Sequence, residues 1–268
     1  MRVTWDPARY LSFADERQRP LVDLVARVRT RDARLVVDLG CGPGTAAALL
    51  LERWPAARVV GVDSSPEMLA RAARVASAPR VCFEQADLRT WEPDGPPDVV
   101  VANAVLQWVP DHVEVIGRFA GLLAPGGSLA LQVPGNFGAP SHTAMRRVAD
   151  SGRWPLPAGL LRESPVLRER PVLEPAGYLS VLTGLGLDAD VWETTYLHVL
   201  TGTDPVLEWT RGTALRPLLE VLGDDAASFE AAYAAALREA YPPDAAGRTV
   251  LPFRRIFAVG RRPGPVDG

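Results

Sequence analysis

Apolar and polar positions along this chain follow a repeated rhythm. Short apolar runs alternate with longer stretches whose apolar positions recur every three or four residues. The runs Leu35–Leu39, Arg58–Val62, Arg80–Glu84, Asp98–Ala102 and Ser128–Val133 read as buried strands. Helices fit between them at Thr45–Trp54, Pro66–Ala76 and Asp111–Leu123. Their ends carry boundary chemistry. Pro55 closes the first helix, and Ser64-Ser65-Pro66-Glu67 opens the second with a serine cap, a proline in the first turn and an acid. Ala124-Pro125-Gly126-Gly127 is a turn before the fifth strand. Such alternation predicts a parallel sheet with helices on both faces.

Outside this segment the pattern is less regular. Ser12–Val28 reads as helical through Phe13, Leu21, Leu24, Val25 and Val28, with Pro20 as a break. Residues 136–172 are rich in Pro, Arg and Gly, with a helical patch near Ser141–Ser151. Ala176–Gly184 then reads as a helix, Asp188–Val199 as a long strand, Pro205–Leu222 and Asp225–Ala240 as helices, and Thr249–Val259 as a last strand. The tail Arg261–Gly268 reads as frayed. The expected organisation is one domain over 1–268. It has a ligand-binding core at 31–134 and helical cap insertions at 135–187 and 203–245.

Composition narrows the chemistry. A length of 268 residues with 47% hydrophobic and 23% charged residues is ordinary for a soluble globular protein. The net charge of -3 offers no general attraction to nucleic acid or to an anionic membrane. There is no apolar run of membrane-spanning length and no signal-peptide pattern at the N-terminus. Cys41 and Cys82 do not form a disulfide framework, so a reducing cytoplasmic setting is expected. All 29 basic residues are arginine, which excludes a Schiff-base lysine and a P-loop lysine. His112, His142 and His198 are too scattered for a metal site.

The first strand ends in Val36-Val37-Asp38-Leu39-Gly40-Cys41-Gly42-Pro43-Gly44, and a helical run follows. A strand, a glycine turn and a helix start let backbone approach a ligand closely. The spacing is G-x-G-x-G rather than the dinucleotide pattern G-x-G-x-x-G. Asp38 already places negative charge beside the turn. That disfavours a pyrophosphate and suits a cationic ligand such as S-adenosylmethionine, with its ammonium and sulfonium. Asp63 ends the second strand, 19 residues after Gly44, where nucleoside-binding folds place an acid for the ribose hydroxyls.

These residues are where a family resemblance begins. The chain resembles class I S-adenosylmethionine-dependent methyltransferases, and within them a branch that esterifies small polycarboxylates. The glycine turn carries the broad likeness. The narrower one rests on Trp5-Asp6-Pro7, Tyr10-Leu11, Glu16-Arg17 and Arg19-Pro20, on Asp63-Ser64-Ser65-Pro66 with Met68, on Asn103 to His112, on Trp192 to Tyr196 with His198, and on Pro252 to Phe257. The resemblance implies a Rossmann-like α/β fold with a seven-stranded, mostly parallel sheet, a last antiparallel strand and a helical cap. Asp63, Asp87, Asn103, Thr195–His198 and Phe253–Arg255 would then lie along one sheet edge.

It also implies roles. Gly40, Cys41 and Gly42, beside Asp38, would face the methionine part of the cofactor, and Asp63 the ribose. Ser64 and Met68 would flank ribose and adenine, and Asp87-Leu88 would contact adenine, although Asp87 also reads as a plain helix cap. Asn103 would reach the methionine end. Trp108 would wall the methyl group or simply pack in the core. Arginines suit a polycarboxylate because guanidinium grips carboxylate at two points. Arg216, Arg254 and Arg255 are the candidates, with Arg17 and Arg19 as alternatives. Trp209, Thr213 and Arg216 recur on one helical face, and adjacent Arg254 and Arg255 diverge on their strand. Tyr10, Tyr196 and His198 would add hydrogen bonds, or His198 would be a packed strand histidine.

The implied reaction is methyl transfer to a carboxylate of a small polycarboxylate, giving a monomethyl ester without a catalytic side chain. The alternatives are a class I methyltransferase for another small-molecule oxygen or nitrogen nucleophile, a nicotinamide oxidoreductase, and a non-catalytic binding protein.

Overall fold

The apolar runs become seven strands: β1 (Leu35–Leu39), β2 (Arg58–Asp63), β3 (Val81–Gln85), β4 (Val99–Asn103), β5 (Ser128–Pro134), β6 (Asp188–Leu200) and β7 (Thr249–Arg261). The computed structural model describes residues 14–75, 79–157, 159–160, 167, 171–212 and 214–264. The strands form one sheet in the order β3-β2-β1-β4-β5-β7-β6. β3, β2, β1, β4 and β5 pair in parallel. β7 runs antiparallel. Gly135 N–H donates to Arg254 O at 2.9 Å, and Arg262 N–H to Gly127 O at 2.8 Å, so advancing along β5 retreats along β7. Strand order reverses between β1 and β4, and the crevice at the carboxyl ends there is where open α/β sheets bind ligands.

Alternation along the strands builds the core. Val37, Leu39, Val100, Ala102, Leu129, Leu131 and Val133 share one face. They pack on Ile116 and Phe119 of α4 (His112–Leu122) and on Tyr178 and Leu182 of α6 (Pro175–Gly184). The other face carries Val36, Asp38, Val101, Asn103, Ala130 and Gln132. Three polar residues stand there near the carboxyl edge.

Three sequence expectations need correction, and one element was not expected. The first helix, α1 (Ala14–Ala26), contains Pro20 rather than breaking at it. Leu21, Leu24 and Val25 are buried just beyond the proline. Their burial, at about 1.5–3 kcal/mol per side chain, outweighs the roughly 3 kcal/mol that an internal proline costs. The continuous helix over Pro205–Leu222 is two, α7 (Pro205–Arg211) and α8 (Arg216–Leu222). Pro217 has no N–H to continue the ladder from α7, so the chain restarts after Gly212. Leu106–Trp108 is a short 3₁₀ turn that the apolar pattern does not announce. Arg261 and Arg262 are not frayed, because Arg261 closes β7 and Arg262 N–H reaches Gly127.

The remaining helices are α2 (Ala47–Arg53), α3 (Pro66–Val75), α5 (Pro140–Ala149) and α9 (Ala226–Ala240). The chain divides into two compact units. Among the described residues, one comprises those within 14–133, 172–193 and 256–264, and the other those within 134–171 and 194–255. No helix among the described residues is long and apolar enough to cross a membrane.

Candidate active site

In the first unit the glycine turn leaves β1 in a backbone shape that side chains resist. Gly40, Gly42 and Gly44 have φ of +66°, +54° and +79°. A Cβ on Gly40 would stand 2.3 Å from Val105 Cγ2. On Gly44 it would stand 2.9 Å from Phe83 Cζ and 3.1 Å from the Ala72 Cα. On Gly42 it would meet no protein atom within 4 Å. The first and third glycines thus pack the turn, and the second borders open space.

Asp63 ties this turn to the start of α3. Its carboxylate accepts from Gly42 N–H at 2.9 Å and from Ser65 N–H at 2.8 Å. Each oxygen keeps a lone pair for a ligand hydroxyl. Ser65, not Ser64, caps α3, accepting from Met68 N–H at 3.2 Å. Ser64 is exposed and Met68 buried. Asp38 is buried, and that burial, with the Asp63 charge second, pushes its carboxyl up to about 7. Cys41 is also buried. Loss of water, then Asp38 and Asp63, raise its thiol far above the ordinary range, so it stays protonated.

Asp87 lies beyond β3, half-buried, and its carboxylate takes the Arg89 guanidinium at 2.5 and 3.0 Å. The Arg89 hydrogen bond is the main reason its carboxyl lies below the usual value. Asp87 O also accepts from Thr90 and Trp91 N–H, as a turn residue does. Leu88 packs against the core, and its carbonyl accepts from Arg118. Asn103 ends β4, half-buried, and Trp108 is half-buried in the 3₁₀ turn.

The second unit gathers aromatic rings around a buried arginine. His198 stacks on Trp209 with centroids 4.6 Å apart, and both approach Phe253 at 6.0 and 5.6 Å. Tyr196 stacks on His198 at 6.4 Å. Arg255 lies over the Phe253 ring at 4.4 Å and is 8% exposed. Residues 253 and 255 share a strand face, which is why the arginine and the rings meet. Arg254 points the other way and donates to Gly135 O at 3.2 Å.

The structure therefore groups Tyr196, His198 and Arg255, and separates Arg254 from them. Arg216 is paired with Glu220 at 3.3 Å. The break before α8 removes the continuous helical face expected for Trp209, Thr213 and Arg216. Tyr10 and Thr213 lie outside the described residues. Gln132 and Gln107 are not among the sequence-predicted site residues, yet both are buried beside the carboxyl ends of β4 and β5. The available signal was one polar residue inside the apolar run Leu129-Ala130-Leu131-Gln132-Val133.

A seven-stranded sheet in the order β3-β2-β1-β4-β5-β7-β6 with β7 antiparallel, joined to a close-packed glycine turn and an acid ending β2, is the class I methyltransferase fold. Residues 36–127 match the family described as a methyltransferase domain. The chain is 53% identical to trans-aconitate 2-methyltransferase of Streptomyces avermitilis, over 97% of each chain. It is 51% identical to that of Methylobacterium nodulans, over 96% of this chain and 98% of the relative. A solved chain of the complex between the Haloferax volcanii Trm112 methyltransferase activator and a methyltransferase has the same fold. It matches with a TM-score of 0.57 at 19% identity, over 98% of this chain and 99% of that one. The chain belongs to the trans-aconitate 2-methyltransferase family, whose cosubstrate is S-adenosyl-L-methionine. The residues present fit that group: a turn closed to side chains, open space at Gly42, and two acids for a cationic nucleoside.

Proposed function

We propose that this chain transfers the methyl group of S-adenosylmethionine to a carboxylate of trans-aconitate, giving a monomethyl ester. The observation that carries the reading is identity above one half to relatives of that activity across nearly the whole chain. Arg255 supports it. A guanidinium kept among aromatic rings is a strong anchor for an anion, because little water competes for it.

Bound S-adenosylmethionine would supply an electrophilic methyl on a sulfonium. Asp63 would hold the ribose, with Ser64 and Met68 beside it. Asp87 and Leu88 would border the adenine, the Asp87 carboxylate sharing its lone pairs with Arg89. Asp38, Gly40, Cys41, Gly42, Asn103 and Trp108 would surround the methionine part. Arg255 would hold a substrate carboxylate, with Tyr196 and His198 donating hydrogen bonds. Arg216 and Arg254 are further anchors, each exchanging its present partner for substrate. Core residues 31–134 thus serve the cofactor, while β6, β7 and the insertion at 203–245 supply the substrate contacts, with the insertion at 135–187 as part of the cap.

The nucleophile is ionised at neutral pH, since a carboxyl has a pKa of about 4. No residue need remove a proton. The protein's task is to hold the carboxylate oxygen in line with the methyl carbon and to restrain the other carboxylates. The free cysteines Cys41 and Cys82 suit a reducing cytoplasm.

The test is incubation with isotopically labelled methyl donor and a panel of di- and tricarboxylates, hydroxy acids and amines, with products located by mass spectrometry. A labelled methyl ester of trans-aconitate, formed faster than any other product, is expected. Label on a hydroxyl or amine alone would replace the carboxylate reading.

A further inference from the structure

We propose that Gln132 is a cofactor-binding residue, which with Asn103 receives the amino-acid end of the methyl donor on the sheet face that carries Asp38. This rests on the assignment of S-adenosylmethionine as cosubstrate.

The first observation is polarity without partners. Gln132 is 1% exposed, and neither its Oε1 nor its Nε2 has a hydrogen-bond partner among the described residues. The same holds for Asn103 Oδ1 and Gln107 Oε1. A buried carboxamide with nothing to bond is costly, and such groups call for an explanation.

The second observation is register. Asn103 stands opposite Gln132 across β4 and β5. Val101, two residues before Asn103, stands opposite Asp38 across β4 and β1. Paired residues of parallel strands share a face, and so do residues two apart. Asp38, Asn103 and Gln132 therefore project from one face beside the switch point.

The third is the backbone between them. Ala104 has φ +55°, an uncommon shape for a residue with a side chain. It is held by Ala104 N–H donating to Gln132 O at 2.8 Å, and by Gln107 Nε2 donating to Ala104 O at 2.6 Å. These bonds fix the turn after β4 and spare the orphaned side-chain atoms for a ligand.

The chemistry selects the ligand end. Three carboxamide oxygens and the Asp38 carboxylate accept hydrogen bonds, which suits an ammonium. Gln132 Nε2 donates, which suits a carboxylate. An α-amino acid presents both groups. Asp63, the ribose acid, ends β2 on the opposite side of β1, so the ligand's two ends fall on either side of the glycine turn.

Calorimetry and thermal melting on wild type and Gln132→Leu test this, using S-adenosylhomocysteine and 5′-methylthioadenosine, which lacks the amino-acid end. Gln132→Leu keeps the volume and removes the orphaned atoms, so the ligand-free variant should melt at or above wild type. It should bind S-adenosylhomocysteine about tenfold more weakly or worse, as expected for a lost hydrogen bond to a charged group. Its affinity for 5′-methylthioadenosine should stay within about twofold, since that ligand makes no such bond. Should the leucine variant not fold, Gln132→Met is measured the same way. Unchanged affinity for S-adenosylhomocysteine overturns the proposal. Equal losses for both ligands overturn it too, because a merely structural role would weaken both. Wild type binding neither ligand would instead remove the cofactor assignment on which it rests.

Discussion

Asp38 and Asp63 are near neighbours with different tasks. Burial first, and Asp63 second, lift the Asp38 carboxyl from an ordinary 3.8 to about 7. The folded, ligand-free protein thus keeps a proton that the unfolded chain has released. The stability from this site is full below about pH 4 and declines as pH rises toward 7, because there the native state binds more protons. Asp38→Asn should abolish that decline and raise the ligand-free melting temperature at pH 8. It should also weaken S-adenosylmethionine, since a cation prefers the ionised acid. Melting curves at pH 5 and 8, with calorimetry at pH 8, check both signs. A lower melting temperature at pH 8 would show that the buried charge is stabilised by something else. Asp63 bridges Gly42 and Ser65 N–H and keeps one lone pair on each oxygen. Asp63→Ala should weaken S-adenosylhomocysteine by roughly 1.5–3 kcal/mol, the range for hydrogen bonds to a charged group. Equal affinities in calorimetry would take Asp63 out of the site.

At the element scale, the turn after β1 separates packing from ligand approach. A side chain on Gly44 would press on Phe83 and on the Ala72 backbone, at φ +79°. Gly44→Ala should therefore cost about 1–3 kcal/mol of folding stability, as a strained backbone position does. Gly42 borders open space, so Gly42→Ala should cost less stability and proportionally more cofactor affinity. Denaturant midpoints beside calorimetry decide. A larger stability loss for Gly42→Ala would reverse the assignment.

Much of this element was legible. The strand Val36–Leu39, the three glycines and Asp63 advertise themselves through local pattern alone, since burial on both faces demands unbroken apolar runs. Other features depend on partners distant in sequence. Pro20 stays inside α1 because Leu21, Leu24 and Val25 are buried. Arg254 and Arg255 look alike as neighbours until pairing with Gly135 and stacking on Phe253 separate them. The orphaned atoms of Gln132 emerge only when β4 lies beside β5. Pro217 did announce the helix break before α8, and the apolar periodicity across Pro205–Leu222 concealed it.

At the scale of the whole molecule, the proposed division of labour predicts separable defects. Arg255→Ala should lower kcat/KM for trans-aconitate at least tenfold, the loss expected when a charge-assisted contact worth about 1.5–3 kcal/mol is removed. Cofactor affinity should stay within about twofold, because Arg255 belongs to the substrate part of the account. Arg254→Ala and Arg216→Ala should do less, since Arg254 leaves β7 on the face away from the ring cluster and Arg216 is held along α8 by Glu220. Steady-state kinetics across the three variants rank them. Wild-type turnover in all three would move the substrate site to Arg17 and Arg19.

Catalysis without a base requires that the nucleophile arrive already ionised. Single-turnover methyl transfer to trans-aconitate, measured against pH at saturating cofactor, tests it most directly. A bound cationic cofactor favours the ionised form of Asp38, and single turnover removes product release from the rate. The rate should be flat from about pH 6.5 to 8.5, because the substrate carboxyl has a pKa near 4 and a required histidine would titrate within that window. A limb near pH 6.5 that disappears in His198→Gln would contradict the account. It would mean that a proton on or off His198 gates the transfer, and that an already ionised carboxylate is not enough.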